Sequence, residues 1–439
     1  MGHPLTIGHR QFTIYNFQEM PKTNHYLTPL SLILIILILT ACTRPTPDLT
    51  FSVFGDPAEF AAYQQLVNTF HQQHPDITVQ LEHIPSQSEY RQKLATRFAS
   101  NTPPDVMLLN YRRFSAFAEA GVLEPLEPYL NDSNTLTAEQ FFPLALDSFH
   151  FENQLWCIPQ NISSLVVYYN QDLFDTAGLP YPSNDWTRDQ FLTAARALTR
   201  DTDGDGQIDQ YGASIQPNIF RLAPFLWQDG HQLVDNLQNP TRLTINQDTL
   251  QWFVDLQLKE QVVPSAVAEA AQPSENRFIN GSIAMIFNSR RGVPTYRTID
   301  SFNWDVAPLP SGPQKAGILH SDAYCLAANA ENKTAAWTFI QFANSVEGQT
   351  IVAASGRTVP SLIAVAESPT FLDPHLPPAN ARIYIDTAPI LGTVPTMAGW
   401  TAVEEFASKE IERAFYGQAT VSEAIQTAEE LTQQYFASP

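Results

Sequence analysis

Apolar and polar positions alternate with period two over residues 49–54, Leu-Thr-Phe-Ser-Val-Phe, which predicts a half-buried strand. The next residues carry the start signals of a helix. Asp56 fits the N-cap, Pro57 the first helical position, and Glu59 the position that completes a capping box. Phe60, Tyr63, Val67 and Phe70 then share one helical face. Residues 77–81 form a second strand, 86–100 a second helix with Tyr90, Leu94 and Phe98 in one stripe, and 105–109 a third strand. This βαβαβ order predicts a parallel sheet joined by crossover helices. Ligands of such sheets bind beyond the carboxyl ends of the strands. Phe54, Gly55 and Asp56 are therefore expected on the same rim as Asn110, Tyr111 and Arg112, although pattern alone also suits a plain cap and loop.

The pattern changes character over residues 156–178. A polar, bend-prone run containing Pro159, Gln160, Asn161, Ser163 and Ser164 interrupts apolar sequence. It leads into a strand at 165–169 and a short helix that ends at Gly178. This stretch reads as a backbone crossing from one α/β lobe into a second. The second lobe continues with a helix at 192–199, a strand at 211–215, further α/β sequence at 225–230 and a helix at 250–259. A helix end, a turn and a buried strand follow over 278–287, and that strand stops at Asn288-Ser289-Arg290-Arg291 on a rim. Strands at 304–309 and 323–328 flank a Pro-rich crossover, and a helix covers 334–345. After Gly356-Arg357-Thr-Val-Pro360, amphipathic helices at 401–416 and 421–436 close the chain.

Between helix 192–199 and strand 211–215 lies an acidic loop with calcium-loop spacing. Asp201, Asp203 and Asp205 hold positions 1, 3 and 5, Gly206 position 6, the Gln207 carbonyl position 7 and Asp209 position 9. Gly212 stands where a bidentate glutamate is usual, which removes two oxygens and one charge and predicts weak affinity for structural calcium. The alternative is an Asp/Gly-rich turn joining helix to strand.

At 439 residues the chain exceeds one ordinary core, so two domains are expected. Its formal charge of −21 excludes a nucleic-acid partner, because neutralising phosphates needs a basic surface. Residues 30–39 form a short apolar run ending in Leu39-Thr40-Ala41-Cys42, which resembles a bacterial lipobox. This predicts a signal peptide at 1–41 with its true start at Met20, lipidation of Cys42, and a Pro-rich tether at 42–47. Export makes disulfides permissible, and Cys157 and Cys325 could pair or stay as buried thiols. No phosphate loop, zinc-protease helix, nucleophile elbow or dinucleotide fingerprint occurs. A catalytic site and a required cofactor are therefore not expected, although abundant carboxylates leave a glycosidase pair possible.

The most specific pieces are Tyr168-Tyr169-Asn170-Gln-Asp-Leu-Phe174 with Ala177-Gly178-Leu179, the helix start Trp186-Thr187, and Phe278 to Met285. In this order and spacing they resemble the extracellular solute-binding proteins of bacterial ABC importers, in the carbohydrate-binding group that includes maltose-binding protein. The resemblance implies a type II periplasmic-binding-protein fold, with two discontinuous α/β lobes joined by crossings near 159–164, 311–317 and 354–360. Lobe one would be 48–160 plus 315–355, and lobe two 161–314 plus 356–439. Cys157 and Cys325 would then share a lobe, which makes a disulfide between them plausible.

Carried over position by position, the resemblance puts a ligand between the lobes against Phe54, Gly55, Asp56, Asn110, Tyr111 and Arg112 from lobe one. Asn161 and Ser163 would come from the crossing, and Phe220 or Arg221, Trp227 and Trp400 from lobe two. Sugars offer C–H faces to aromatic rings and hydroxyls to amides and charges, which suits this set. Where the family often has Gly-x-Trp, this chain has Ser289-Arg290-Arg291. Cationic forks there suit carboxylates or phosphates, so an acidic or phosphorylated sugar stands beside a neutral one. The implied function is a monomeric, lipid-anchored receptor, held on the bilayer through Cys42, that delivers a carbohydrate to ABC permease subunits. A secreted glycoside hydrolase, or a sensor or adhesion component on the same fold, is the rival reading.

Overall fold

The computed structural model describes residues 47–436; the signal segment, Met20 and Cys42 lie outside them. The first lobe is built on a mixed sheet in which the strand Leu49–Phe54 lies between Val79–Ile84 and Val106–Asn110, parallel to both. Helices Pro57–Gln73 and Gln87–Ala99 make the crossovers, as the βαβαβ pattern requires. The second strand sits two residues later than its apolar run suggested. Its ladder pairs Leu49 with Val79 and Phe54 with Ile84, and this edge position accommodates the polar Glu82 and His83.

The parallel order expected of these three strands holds, and a further strand adds an antiparallel member to the sheet. Asp322–Ala327 returns from a distant part of the chain and runs antiparallel to Val106–Asn110, Leu123–Glu124 and Cys157–Pro159. No helical crossover links it to its neighbours, so nothing imposes the parallel direction. Cys157 and Cys325 face each other across this ladder and form a disulfide, with Cα atoms 4.4 Å apart. Phe51 anchors the core between Tyr63 and Phe339, at ring-centroid distances of 5.8 and 4.9 Å. Helices Lys333–Ala343 and Val346–Ala353 cover that side together with Pro57–Gln73.

The second lobe has a three-stranded antiparallel sheet with Val166–Asn170 in the centre, flanked by Met285–Asn288 and Trp304–Ala307. The strand expected at 211–215 is reduced to two isolated parallel bridges, Tyr211 to Ile283 and Ser214 to Ile286. Tyr168, Tyr296 and Phe278 pack edge to face over this sheet. Trp400–Phe415 and Val421–Phe436 pack on each other and on Gln247–Leu258, and Trp400–Phe415 also packs on Ile219–Gln228.

Where the chain passes between lobes, a small sheet forms: Ser163–Ser164 pairs antiparallel with Gly317–His320, which pairs parallel with Leu391–Gly392. Asn161 bridges Pro360. Downstream of that bridge, Leu362 still pairs with Phe141 and its N–H donates to Gln349 Oε1 at 2.9 Å, so residues 361–362 stay with the first lobe. The architecture is a two-lobed type II binding-protein fold whose connecting segments hydrogen-bond to one another.

Candidate functional site: the cleft between the lobes

A cavity of about 1630 Å³ opens between the two lobes. Its first wall is the carboxyl end of the mixed sheet, with Phe54, Gly55, Asp56, Asn110 and Arg112 in the lining. Gly55 has φ +141°, and a Cβ there would fall 2.0 Å from the Glu59 carboxylate, so only glycine lets the strand turn into the helix at this point. Asp56 caps that helix, accepting from the backbone N–H groups of Ala58 and Glu59 at 3.0 Å each.

Glu59 does not close the capping box. Its carboxylate accepts from Arg357 Nε at 2.6 Å and from the Tyr63 hydroxyl at 3.3 Å, while Arg357 also pairs with Asp56. Burial pushes the Glu59 carboxyl up to about 7; Arg357 opposes that rise, and Asp322 and Asp56 add to it. Arg357 also donates to the Arg291 backbone carbonyl at 3.2 Å, joining this wall to the facing one.

The loop after the third strand reaches across the cleft. Arg112 Nε donates to Asn110 Oδ1 at 3.1 Å, its Nη1 donates to Glu404 at 2.5 Å, and its guanidinium lies 3.9 Å over the ring of Phe220. Arg113 donates to the same Glu404 oxygen at 2.8 Å. Burial raises the pKa of Glu404, but Arg112 and Arg113 outweigh it and hold the carboxyl below its usual range. Asn110 Nδ2 also donates to Asp322 at 3.0 Å, and burial keeps the Asp322 carboxyl above its usual value.

The floor comes from the crossing and from the start of helix Ile219–Gln228. Ser163 pairs in register with His320, and both line the cavity beside Asn161, Phe220 and Arg221. Arg221 Nη1 lies 3.3 Å from His320 Nε2. Burial, followed by the charges of Arg221, Arg112 and Arg291, holds His320 well below the ordinary histidine value, so the imidazole is neutral.

Four residues expected in the site lie elsewhere. Tyr111 is in the core: it lies in the turn after the strand Val106–Asn110, where its side chain is buried while those of Asn110, Arg112 and Arg113 line the cavity. Trp227 sits at the far end of its helix against Gly392, where a Cβ would come within 2.7 Å of the indole. Arg290 is 1% exposed, donates to the Gly356 carbonyl at 2.9 Å and lies 4.4 Å over Phe371, so it braces a crossing instead of a ligand. Its neighbour Arg291 does line the cavity.

Trp400 belongs to the buried stripe of its helix, with Val403, Ala407, Ile411 and Ala414. Thr401, Glu404, Ser408 and Glu412 form the stripe that faces the cleft. Glu404, His320 and Asp322 carry no local signal in the sequence, and Arg357 is legible there only as part of a crossing. Glu404 and Arg112 are 292 positions apart, and no local pattern pairs them.

In the acidic loop, Asp201, Asp203 and Asp209 bring carboxylate oxygens within 4.8 Å of one another. Asp201 accepts from the N–H groups of Gly204 and Gly206, and Asp209 from Thr202. Asp205 lies outside this group, its carboxylate taken up by the backbone and side-chain amides of Gln207. Three of the four expected carboxylates therefore converge, a hard-oxygen set that fits calcium in part.

The family described as bacterial extracellular solute-binding protein matches residues 55–350. A putative binding protein of Brucella abortus is 21% identical over 375 residues, covering 82% of this chain and 87% of that one. The erythritol/L-threitol-binding protein of Mycolicibacterium smegmatis is 24% identical over 337 residues, covering 69% and 68%. An ABC substrate-binding protein of Listeria monocytogenes, solved in complex with cycloalternan, superposes with a TM-score of 0.81 at 25% identity, covering 88% of this chain and 98% of that one.

Proposed function

The chain belongs to the bacterial extracellular solute-binding proteins, and on that premise we propose that it captures a carbohydrate or polyol between its lobes and delivers it to an ABC permease. The observation that carries this reading is the cleft itself: about 1630 Å³, lined from both lobes by a mixture of aromatic faces, amides and charges. That is above the range of about 300–1,000 Å³ usual for small-ligand pockets, and leaves room for more than one sugar ring. Phe54 and Phe220 line the cavity as largely buried rings, the latter with Arg112 over one face, while Asn110, Asn161 and Ser163 bring amide and hydroxyl groups to it. The named binders of cycloalternan and of erythritol and L-threitol among its relatives support this solute class.

Capture works by lobe closure about the crossing sheet, which removes water from around the bound solute. The chain binds without turning its solute over, and energy for transport comes from the partner ATPase. Lipidation of Cys42 anchors the body to the membrane outside the cytoplasm, and the receptor acts as a monomer. The loop of Asp201, Asp203 and Asp209 takes one calcium ion weakly. Calorimetric titration of calcium into the metal-stripped chain tests that assignment, and a flat trace ends it.

A thermal-shift screen across neutral sugars, sugar acids, sugar phosphates and polyols tests the reading as a whole. A solute that binds only the folded state raises the melting temperature, and it should be recovered unchanged after prolonged incubation. Stabilisation by amino acids or peptides alone would contradict the carbohydrate reading. Appearance of a cleaved product would contradict the assignment as a receptor.

A further inference from the structure

The cleft lining mixes guanidiniums with carboxylates that include Glu269, Glu275, Glu405 and Glu412, so what distinguishes one cation from another there is its pairing and burial, not the net charge of the wall. Asp56 and Glu59 are taken by Arg357, and Glu404 is shared by Arg112 and Arg113. Asp322 faces Asn110. Among the described residues no salt bridge involves Arg221 or Arg291.

Arg291 is exposed and can be solvated. Arg221 cannot. It is 9% exposed and lines the cavity, and its Nε has no hydrogen-bond partner among the described residues. Among the described residues its fork has one side-chain hydrogen-bond partner, the neutral imidazole of His320 at 3.3 Å. Burial, then the like charges of Arg291 and Arg112, bring the Arg221 pKa down to about 9, against weaker opposing effects of Tyr296 and Glu404. Ser163 Oγ, in the same lining, is also buried without a partner among the described residues.

We propose that the cleft receives a solute bearing an oxyanion, a carboxylate or a phosphate ester on a sugar or polyol, with Arg221 as its docking residue and Arg291 and Ser163 beside it. This assignment rests on the solute-capture reading and narrows it. A sugar hydroxyl would satisfy the free N–H but leave the buried positive charge uncompensated, and closure of the lobes would desolvate that charge further. A carboxylate or phosphate satisfies both, because a planar guanidinium matches two oxygens at once. His320 accepts from Arg221 on its other edge and so fixes the direction of the fork. The cationic function expected at Arg290 thus passes to Arg221, on helix Ile219–Gln228 of the same lobe.

Isothermal titration of the full chain with glucuronate, glucose 6-phosphate, glucose and inorganic phosphate, at constant ionic strength, tests this. At least one anionic sugar should bind tenfold or more tightly than glucose; which of the two does so separates a carboxylate from a phosphate site. Arg221→Ala should abolish that preference, Arg221→Lys should keep part of it, and Arg291→Ala should weaken it, with far-UV circular dichroism showing each variant folded. Glucose binding as tightly as both anionic sugars, or Arg221→Ala binding the preferred anion as the wild type does, would overturn the proposal and leave solute capture intact. Binding of inorganic phosphate with no sugar of either charge would keep the oxyanion site and remove the carbohydrate reading. Silence from every anion would overturn the oxyanion site.

Discussion

Glu404, on the cleft face of helix Trp400–Phe415, accepts from Arg112 at 2.5 Å and so ties the second lobe to the loop that ends the third strand of the first. Arg113 adds a second donor to the same oxygen, and the side chains concerned are only 13–17% exposed. A contact across a hinged cleft favours the approach of the lobes before any solute contributes to it.

Glu404→Gln keeps the shape and removes the charge. It should widen the average cleft, read as an increased radius of gyration in small-angle scattering. It should also weaken solute binding by about tenfold, or about 1.4 kcal/mol, as the binding-competent arrangement becomes less populated. Because the folded-state pKa of Glu404 is depressed, the pair stabilises the protein above the ordinary glutamate pKa and is lost as pH falls through the lower folded value. An unchanged radius in the variant would remove the cross-cleft role.

Glu59 makes the opposite pH prediction. Its folded-state pKa is raised from 4.5 to about 7, so folding favours the protonated form. Its contribution is greatest below the unfolded value and declines as pH rises through about 7. Arg357, Asp322, Asp56 and the Tyr63 hydroxyl are the groups that face it. Urea melts of wild type and Glu59→Gln between pH 4 and 8 should differ in slope, with the variant the flatter. Parallel curves would contradict the assignment.

The Cys157–Cys325 bridge joins paired strands across 168 positions of sequence. Reduction, or paired substitution by serine, should destabilise the fold by about 2–5 kcal/mol through a less constrained unfolded chain. Thermal melts with and without reductant check this. A melting temperature indifferent to reductant would show that the bridge is absent in solution.

Arg290 and Arg291 should separate cleanly. Arg290→Ala removes a buried brace and should lower stability by about 2–4 kcal/mol, with solute affinity in the surviving folded protein little changed. Arg291→Ala should leave the melting temperature within about 0.5 kcal/mol of wild-type stability and change affinity instead. The reverse pattern would restore Arg290 to the site.

Local sequence made much of this architecture legible. The strand Leu49–Phe54, the Asp56 cap and the two C-terminal helices follow from alternation, capping chemistry and helical spacing, each of which involves neighbours within a few positions. The direction of Asp322–Ala327 was not legible, since strand polarity is set by partners far away in the chain. In the site, the rim rule found Phe54, Asp56, Asn110 and Arg112 but could not tell Tyr111 from its neighbours without an exact strand end. Trp400 and Glu404 share a helix and belong to different stripes, and choosing the cleft stripe requires knowing what the helix packs against. Arg221 was visible as a residue but not as an unpaired charge, because pairing is a property of the fold.

Hydrogen exchange, with and without a saturating solute from the thermal-shift screen, reads capture between the lobes most directly. Slowed exchange is expected in peptides from both walls at once, spanning 110–113 on the first lobe and 218–221 and 401–409 on the second. Protection confined to one lobe, or lying away from the cleft, would contradict the account.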